Sequence, residues 1–128
     1  MSKPNKSLRR RNSRENILPW VQLPHWIMAS AAWKSLGPVD RNVWLQIVWR
    51  YNGMNNGWIA VPARAVADEI GVHHSTVARA LQALMTYGFI EITRHGDFSC
   101  KRAASEYRLT HLKCDRDGRL PGNTFMCI

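Results

Sequence analysis

The sequence predicts an α+β domain that is mainly helical. Apolar residues recur at helical spacing on both sides of Gly71, and strict alternation takes over directly after Gly88. Ahead of both lies a longer helical stretch rich in tryptophan, so helices should outweigh strands.

Residues 1–16 differ from everything that follows. They carry Lys3, Lys6, Arg9, Arg10, Arg11 and Arg14 against Glu15 alone, so they hold +5 of the chain's formal net charge of +9. With almost no apolar side chains this segment has little to bury, and it is expected to be a disordered basic arm. Arg9-Arg10 is not followed by the apolar segment that an export signal needs, and no run approaches membrane-spanning length. A cytoplasmic protein is expected. A charge of +9 with a pI near 10.2 points to a polyanionic partner.

Residues 17–110 read as one domain, since a chain of 128 residues supports one core. Within Leu18 to Leu36, the residues Trp26, Ile27, Ala31, Ala32 and Trp33 suggest one or two short helices. Pro38 to Asn52 reads as a helix with Val43, Trp44, Ile47, Val48 and Tyr51 on one broad face and Leu45 and Trp49 on a second stripe. A helix apolar on two sides needs cover on both. The preceding segment supplies part of it, and either a second subunit or further wrapping by that segment supplies the rest. Asn52-Gly53 and Asn56-Gly57 then mark a tight loop whose Asn and Gly residues are most simply turn formers, and Trp58 to Val61 has strand character.

From Ala63 onward the pattern is sharper. Val66, Ala67 and Ile70 form one stripe after Pro62, which suits a first helical position, and Gly71 can take the positive φ that ends the helix. Val77, Ala80, Leu81 and Leu84 form the next stripe, with Ser75, Arg79, Gln82 and Thr86 opposite. After Gly88, Phe89 to Arg94 alternates as a half-buried strand; Ser105 to Thr110 alternates as a returning strand, making a hairpin from Ile90 to Thr110. Residues 111–128 form a C-terminal extension whose Phe125-Met126-Cys127-Ile128 end is expected to dock back on the core.

Three features together resemble the winged helix-turn-helix superfamily of bacterial and phage transcription regulators. They are Ala67-x-x-Ile70-Gly71-Val72, Ser75-Thr76-Val77-Ala78-Arg79-Ala80-Leu81, and Leu84-x-x-x-Gly88-Phe89-Ile90. The resemblance covers roughly residues 38 to 110 and implies a winged helix-turn-helix with extra N-terminal Trp-rich helices and a three-stranded β-wing. It also implies double-stranded DNA as partner, with His74, Ser75, Thr76 and Arg79 at base edges and Arg79 on guanine. Backbone contacts are expected from Arg64, His73, Gln82, Arg94, His95, Lys101 and Arg102, and from the basic arm. Many regulators of this superfamily are homodimers, which makes Trp26, Trp33, Leu45 and Trp49 the expected subunit interface. One departure is His73, which stands where a Ser or Thr cap is usual; an imidazole is a poorer cap.

No enzyme is expected, because no phosphate loop or nucleophile motif is present. No cofactor or metal is expected either. Cys100, Cys114 and Cys127 are an odd number in a chain with no export signal, and with His111 they match no common zinc spacing. The adjacent His73-His74 pair is a poor metal site, since neighbouring helical residues diverge. The expected function is sequence-specific DNA binding as a transcriptional regulator. The alternatives are a DNA-binding subunit of a plasmid or phage replication, partition or excision complex, and an interaction or inhibitor module that uses the Trp-rich face to bind a protein.

Overall fold

The computed structural model describes residues 20–96 and 104–127. They form an α+β arrangement, mainly helical, with five helices and a small antiparallel sheet. In order these are α1 (His25–Met28), α2 (Ala31–Ser35), α3 (Pro38–Arg50), β1 (Ile59–Ala60), α4 (Ala63–Ile70), α5 (His74–Thr86), β2 (Ile90–Arg94) and β3 (Glu106–Leu109). A 3-10 turn, Thr124–Cys127, follows. Among the described residues no helix is long and apolar enough to cross a membrane.

The Leu18–Leu36 segment resolves into two short helices joined at Ser30. Its hydroxyl donates to the Ile27 carbonyl at 2.6 Å and accepts the Trp33 N–H at 3.2 Å, so one buried side chain closes α1 and caps α2. At the start of α3, Pro38 sits in the first turn and Asp40 accepts the Gly37 N–H. The helix stops at Arg50 rather than Asn52, because Asn52 and Asn55 bond locally. Asn52 Oδ1 accepts the Met54 N–H, Asn55 Oδ1 accepts the Asn52 N–H, and Asn55 Nδ2 donates to the Arg50 carbonyl at the helix end.

The broad face of α3, with Val43, Trp44, Ile47 and Val48, is buried against α5, α4 and β1. Its second stripe is only partly covered: Leu45 is half-buried, while Trp49 stays 61% exposed with the Arg50 guanidinium 5.7 Å from its ring. Pro62 lies one residue before α4 instead of inside it, and its carbonyl accepts the Val66 N–H. Gly71 ends α4 at φ +76, and the N–H groups of Gly71 and Val72 both return to Ala67 O.

The sheet has the order β1-β3-β2, with Ile59 opposite Tyr107, Ile90 opposite Leu109 and Glu91 opposite Arg108. The register shifts between Ile92 and Arg94, where Thr93 donates its hydroxyl to Gly57 O at 2.6 Å. The C-terminal extension returns to the core. Phe125, 1% exposed, lies between Trp26 (5.6 Å) and Phe89 (4.6 Å), both stacked on it. Trp33 meets Phe89 and Trp44 edge-on, and Trp44 meets His111, so the rings form a continuous row through the core. Gly88 makes room for this. It has φ +81, and a Cβ there would lie 2.9 Å from the Phe125 nitrogen and from Thr124 Cβ.

Candidate nucleic-acid interface

Helix α5 is anchored on one side and bare on the other. Val77, Ala80, Leu81 and Leu84 are buried, and the helix packs against α3 and α4. At about 100° per residue, Ser75, Ala78, Arg79, Gln82 and Thr86 fall within about 100° of one another on the opposite side. All five are exposed, forming a crest of small and hydrogen-bonding side chains. His74 and Thr76, expected beside Ser75, lie on the flanks and are half-buried.

The start of α5 shows how His73 replaces a hydroxyl cap. Its backbone is extended (φ −74, ψ 148), and Nδ1 accepts the Ser75 N–H at 3.2 Å. The Ser75 hydroxyl lies 2.8 Å from the same nitrogen. An Nδ1 that accepts an N–H carries no proton, so the Ser75 hydroxyl donates to it and the ring proton is on Nε2. The His73 and His74 rings are 4.2 Å apart. Partial desolvation holds the His74 imidazole below its ordinary range, helped by the nearby Arg64 guanidinium and His73 ring.

Among the described residues, Arg64 and Arg79 form no ion pair or hydrogen bond; both are exposed. The sheet behaves differently. Arg94 and Arg116 share Glu106, Arg108 and Arg119 share Glu91, and Arg119 also holds Asp117. Asp115 accepts the Asn56 N–H. Four arginines there are thus offset by Glu91, Glu106, Asp115 and Asp117, and among the described residues of the sheet and its covering segment the exposed Lys113 is left over as a single excess positive charge. Arg94, expected on phosphates, sits 3.7 Å from a carboxylate oxygen of Glu106. His95 is exposed, and the next residue donates its N–H to Ser105.

Lys101 and Arg102 lie outside the described residues, as do Lys3, Lys6, Arg9, Arg10, Arg11 and Arg14 of the basic arm. Of the residues expected at a subunit interface, Trp26 and Trp49 are exposed, but Trp33 is 6% exposed and packed inside its own chain, and Leu45 is half-buried. Trp33 therefore has almost no surface to offer a partner. His111 lies tilted against Trp44 at 5.5 Å, and burial pushes its pKa down to about 4. Cys114 is a buried thiol whose sulfur lies 3.6 Å from the Asn56 carbonyl oxygen. Among the described residues no group of three or more His, Cys, Asp or Glu gathers as a metal site.

Two residues at this site and its support escape a reading by residue type. Ala78 lies on the crest because of its spacing from Ser75 and Gln82, which an apolar label hides. Asn56 lies in a turn-rich stretch yet is fully buried. No protein-family model, curated protein or solved structure matches the chain.

Proposed function

We propose that this chain binds double-stranded DNA sequence-specifically as a winged helix-turn-helix protein and acts as a transcriptional regulator. In this reading α5 enters the major groove, while the β2–β3 hairpin and the basic arm follow the backbone. The observation that carries it is the bare crest of α5. An α-helix with its side chains is about 10–12 Å across, which suits a groove about 12 Å wide. The crest holds no large apolar side chain that would call for a protein cover, and it carries an arginine without an internal partner. Arg94, Arg108, Arg116 and Arg119 are each set beside a carboxylate, so among the described residues near α5 the exposed Arg64 and Arg79 supply the non-specific attraction, to which the arm adds.

The test is a fluorescence-anisotropy titration of duplex DNA over a range of salt. Binding should weaken linearly in log–log form as salt rises, and Arg79→Ala should cost about 1–3 kcal/mol at the preferred site. Absence of salt-dependent binding to any duplex overturns the proposal. The geometry suits a replication, partition or excision subunit equally, and mapping the bound sites to a promoter or to an origin or attachment site separates these.

A second reading rests on the exposed tryptophans. Trp20, Trp26, Trp49 and Trp58 each expose two-fifths of their surface or more, and exposed aromatic surface of this kind supports a protein partner or a homodimer. Analytical ultracentrifugation of the full chain distinguishes self-association from a monomer.

A further inference from the structure

The side chains on the α5 crest are not equally available. The Ser75 hydroxyl is held by His73 Nδ1 at 2.8 Å, and the Thr86 hydroxyl donates to the Gln82 carbonyl at 2.9 Å. Both donors are already engaged within the chain. The Arg79 and Gln82 side chains, by contrast, are exposed and make no hydrogen bond or ion pair among the described residues.

Arg79 and Gln82 are three residues apart, so they are neighbours on one face, separated by about 4.5 Å along the axis. Successive base pairs are about 3.4 Å apart. Two side chains at this spacing reach adjacent base pairs from a helix lying in the groove. Ala78, beside both, adds no bulk that would hold the helix off the bases. The chemistry of each head group then selects its base. A guanidinium offers donors only, which suits the N7 and O6 acceptors of guanine; a carboxamide offers one donor and one acceptor, which suits adenine N6 and N7.

We infer that α5 reads two adjacent base pairs, a guanine through Arg79 and an adenine through Gln82, and that the Ser75 and Thr86 hydroxyls, whose protons are engaged, donate to no base. This rests on the DNA-binding reading above and goes beyond it by naming the readers and the bases. It also moves Gln82 from the DNA backbone, where the sequence pattern put it, to the groove floor.

The experiment is selection of bound duplexes from a random library by the full chain and by Arg79→Ala, Gln82→Ala, Gln82→Arg and Ser75→Ala. The wild-type motif should contain a G·C pair next to an A·T pair. Arg79→Ala should lose preference at the first alone and Gln82→Ala at the second alone, each with about a 5- to 150-fold loss of affinity for the wild-type site. Gln82→Arg should turn the adenine preference into guanine at the same pair. Ser75→Ala should keep the motif. Both readers are exposed, so these variants retain the fold. If the Gln82 variants select the wild-type motif unchanged, or Ser75→Ala changes a base preference, the assignment is overturned while DNA binding stands. A wild-type chain that enriches no motif overturns sequence-specific binding itself.

Discussion

Asn56 and Leu109 exchange two hydrogen bonds: the Leu109 N–H donates to Asn56 Oδ1 at 2.6 Å, and Asn56 Nδ2 donates to the Leu109 carbonyl at 3.0 Å. One carboxamide thus acts as a strand's peptide unit at the end of β3. The same Nδ2 reaches Lys113 O at 2.9 Å, tying the loop before β1 to the C-terminal extension. Replacing Asn56 by Ala removes the acceptor of the buried Leu109 N–H and the side-chain donor shared by the Leu109, Leu112 and Lys113 carbonyls. The expected loss is about 3 kcal/mol in urea denaturation. Asn56→Asp should lose more, because a carboxylate would face carbonyl oxygens. A loss below about 0.5 kcal/mol for the alanine variant would show that these bonds do not hold the sheet to its cover.

Phe125 should matter as much as any residue of the helices. Phe125→Ala opens a cavity between Trp26 and Phe89 and is expected to cost about 3–5 kcal/mol. Gly88→Ala should also be strongly destabilising, since it combines a positive φ with a Cβ placed against Thr124 and Phe125. Thermal melts followed by tryptophan fluorescence measure both, and a wild-type Tm for Phe125→Ala would remove the C-terminal turn from the core.

His73 caps α5 with a nitrogen acceptor in place of an oxygen. Its backbone already has the extended geometry of an N-cap, so His73→Ser should raise stability by a few tenths to about 1 kcal/mol. His73→Ala should lower it by about 1 kcal/mol. Opposite signs for the two variants in chemical denaturation are the expected result; a loss for both would mean that the ring packing on His74 outweighs the cap.

Acid should destabilise the fold through His111. Burial lowers its pKa from the ordinary 6.5 to about 4, so between these values the unfolded chain binds the proton and the folded chain does not. Stability from this source is complete above pH 6.5 and is lost as pH falls toward 4. The loss amounts to about 3 kcal/mol over that window. His74, also lowered, acts in the same direction. His111→Phe keeps a ring against Trp44 and removes the titration; its stability should be flatter over the same range. An unchanged pH profile in that variant would exclude His111 as the source.

On the DNA-binding reading, Arg64 and Glu106 should move affinity in opposite directions. Arg64→Ala should weaken binding to all sequences alike and reduce the salt slope by about one. Glu106→Gln releases Arg94 and Arg116 from their shared carboxylate and should raise non-specific affinity. Anisotropy titrations on an arbitrary duplex read both, and equal slopes for Arg64→Ala and the wild type would take Arg64 out of the interface.

The helix pair and the sheet were legible because their signals are local. The stripes from Val66 and Val77, with the punctuation at Gly71 and Gly88, depend only on neighbours in the chain. The helix bounds shifted by a residue or two where a side chain intervened, as Asn52 and Asn55 did after Arg50. The pairings that cross the chain were not legible. Nothing in the local pattern around Asn56 distinguishes a turn residue from a buried one bonded to Leu109 and Lys113, which lie more than fifty positions further on. Charge was misleading for the same reason: a composition counts Arg94, Arg108, Arg116 and Arg119 as attraction for a polyanion, whereas the fold sets each beside a carboxylate. At α5 the sequence showed which face was polar, but only the folded helix reveals that the Ser75 and Thr86 hydroxyls are already engaged while the Gln82 side chain has no partner among the described residues.

The seat of Phe125 between Trp26 and Phe89 sets an order of events during synthesis. Chains emerge from the ribosome N-terminal end first. Every α-helix and strand described is therefore synthesised before the residue that completes their aromatic row. Until that moment the faces of Trp26 and Phe89 stand open to water. A chain that has not yet reached Phe125 has an apolar slot where the two rings would otherwise be bridged.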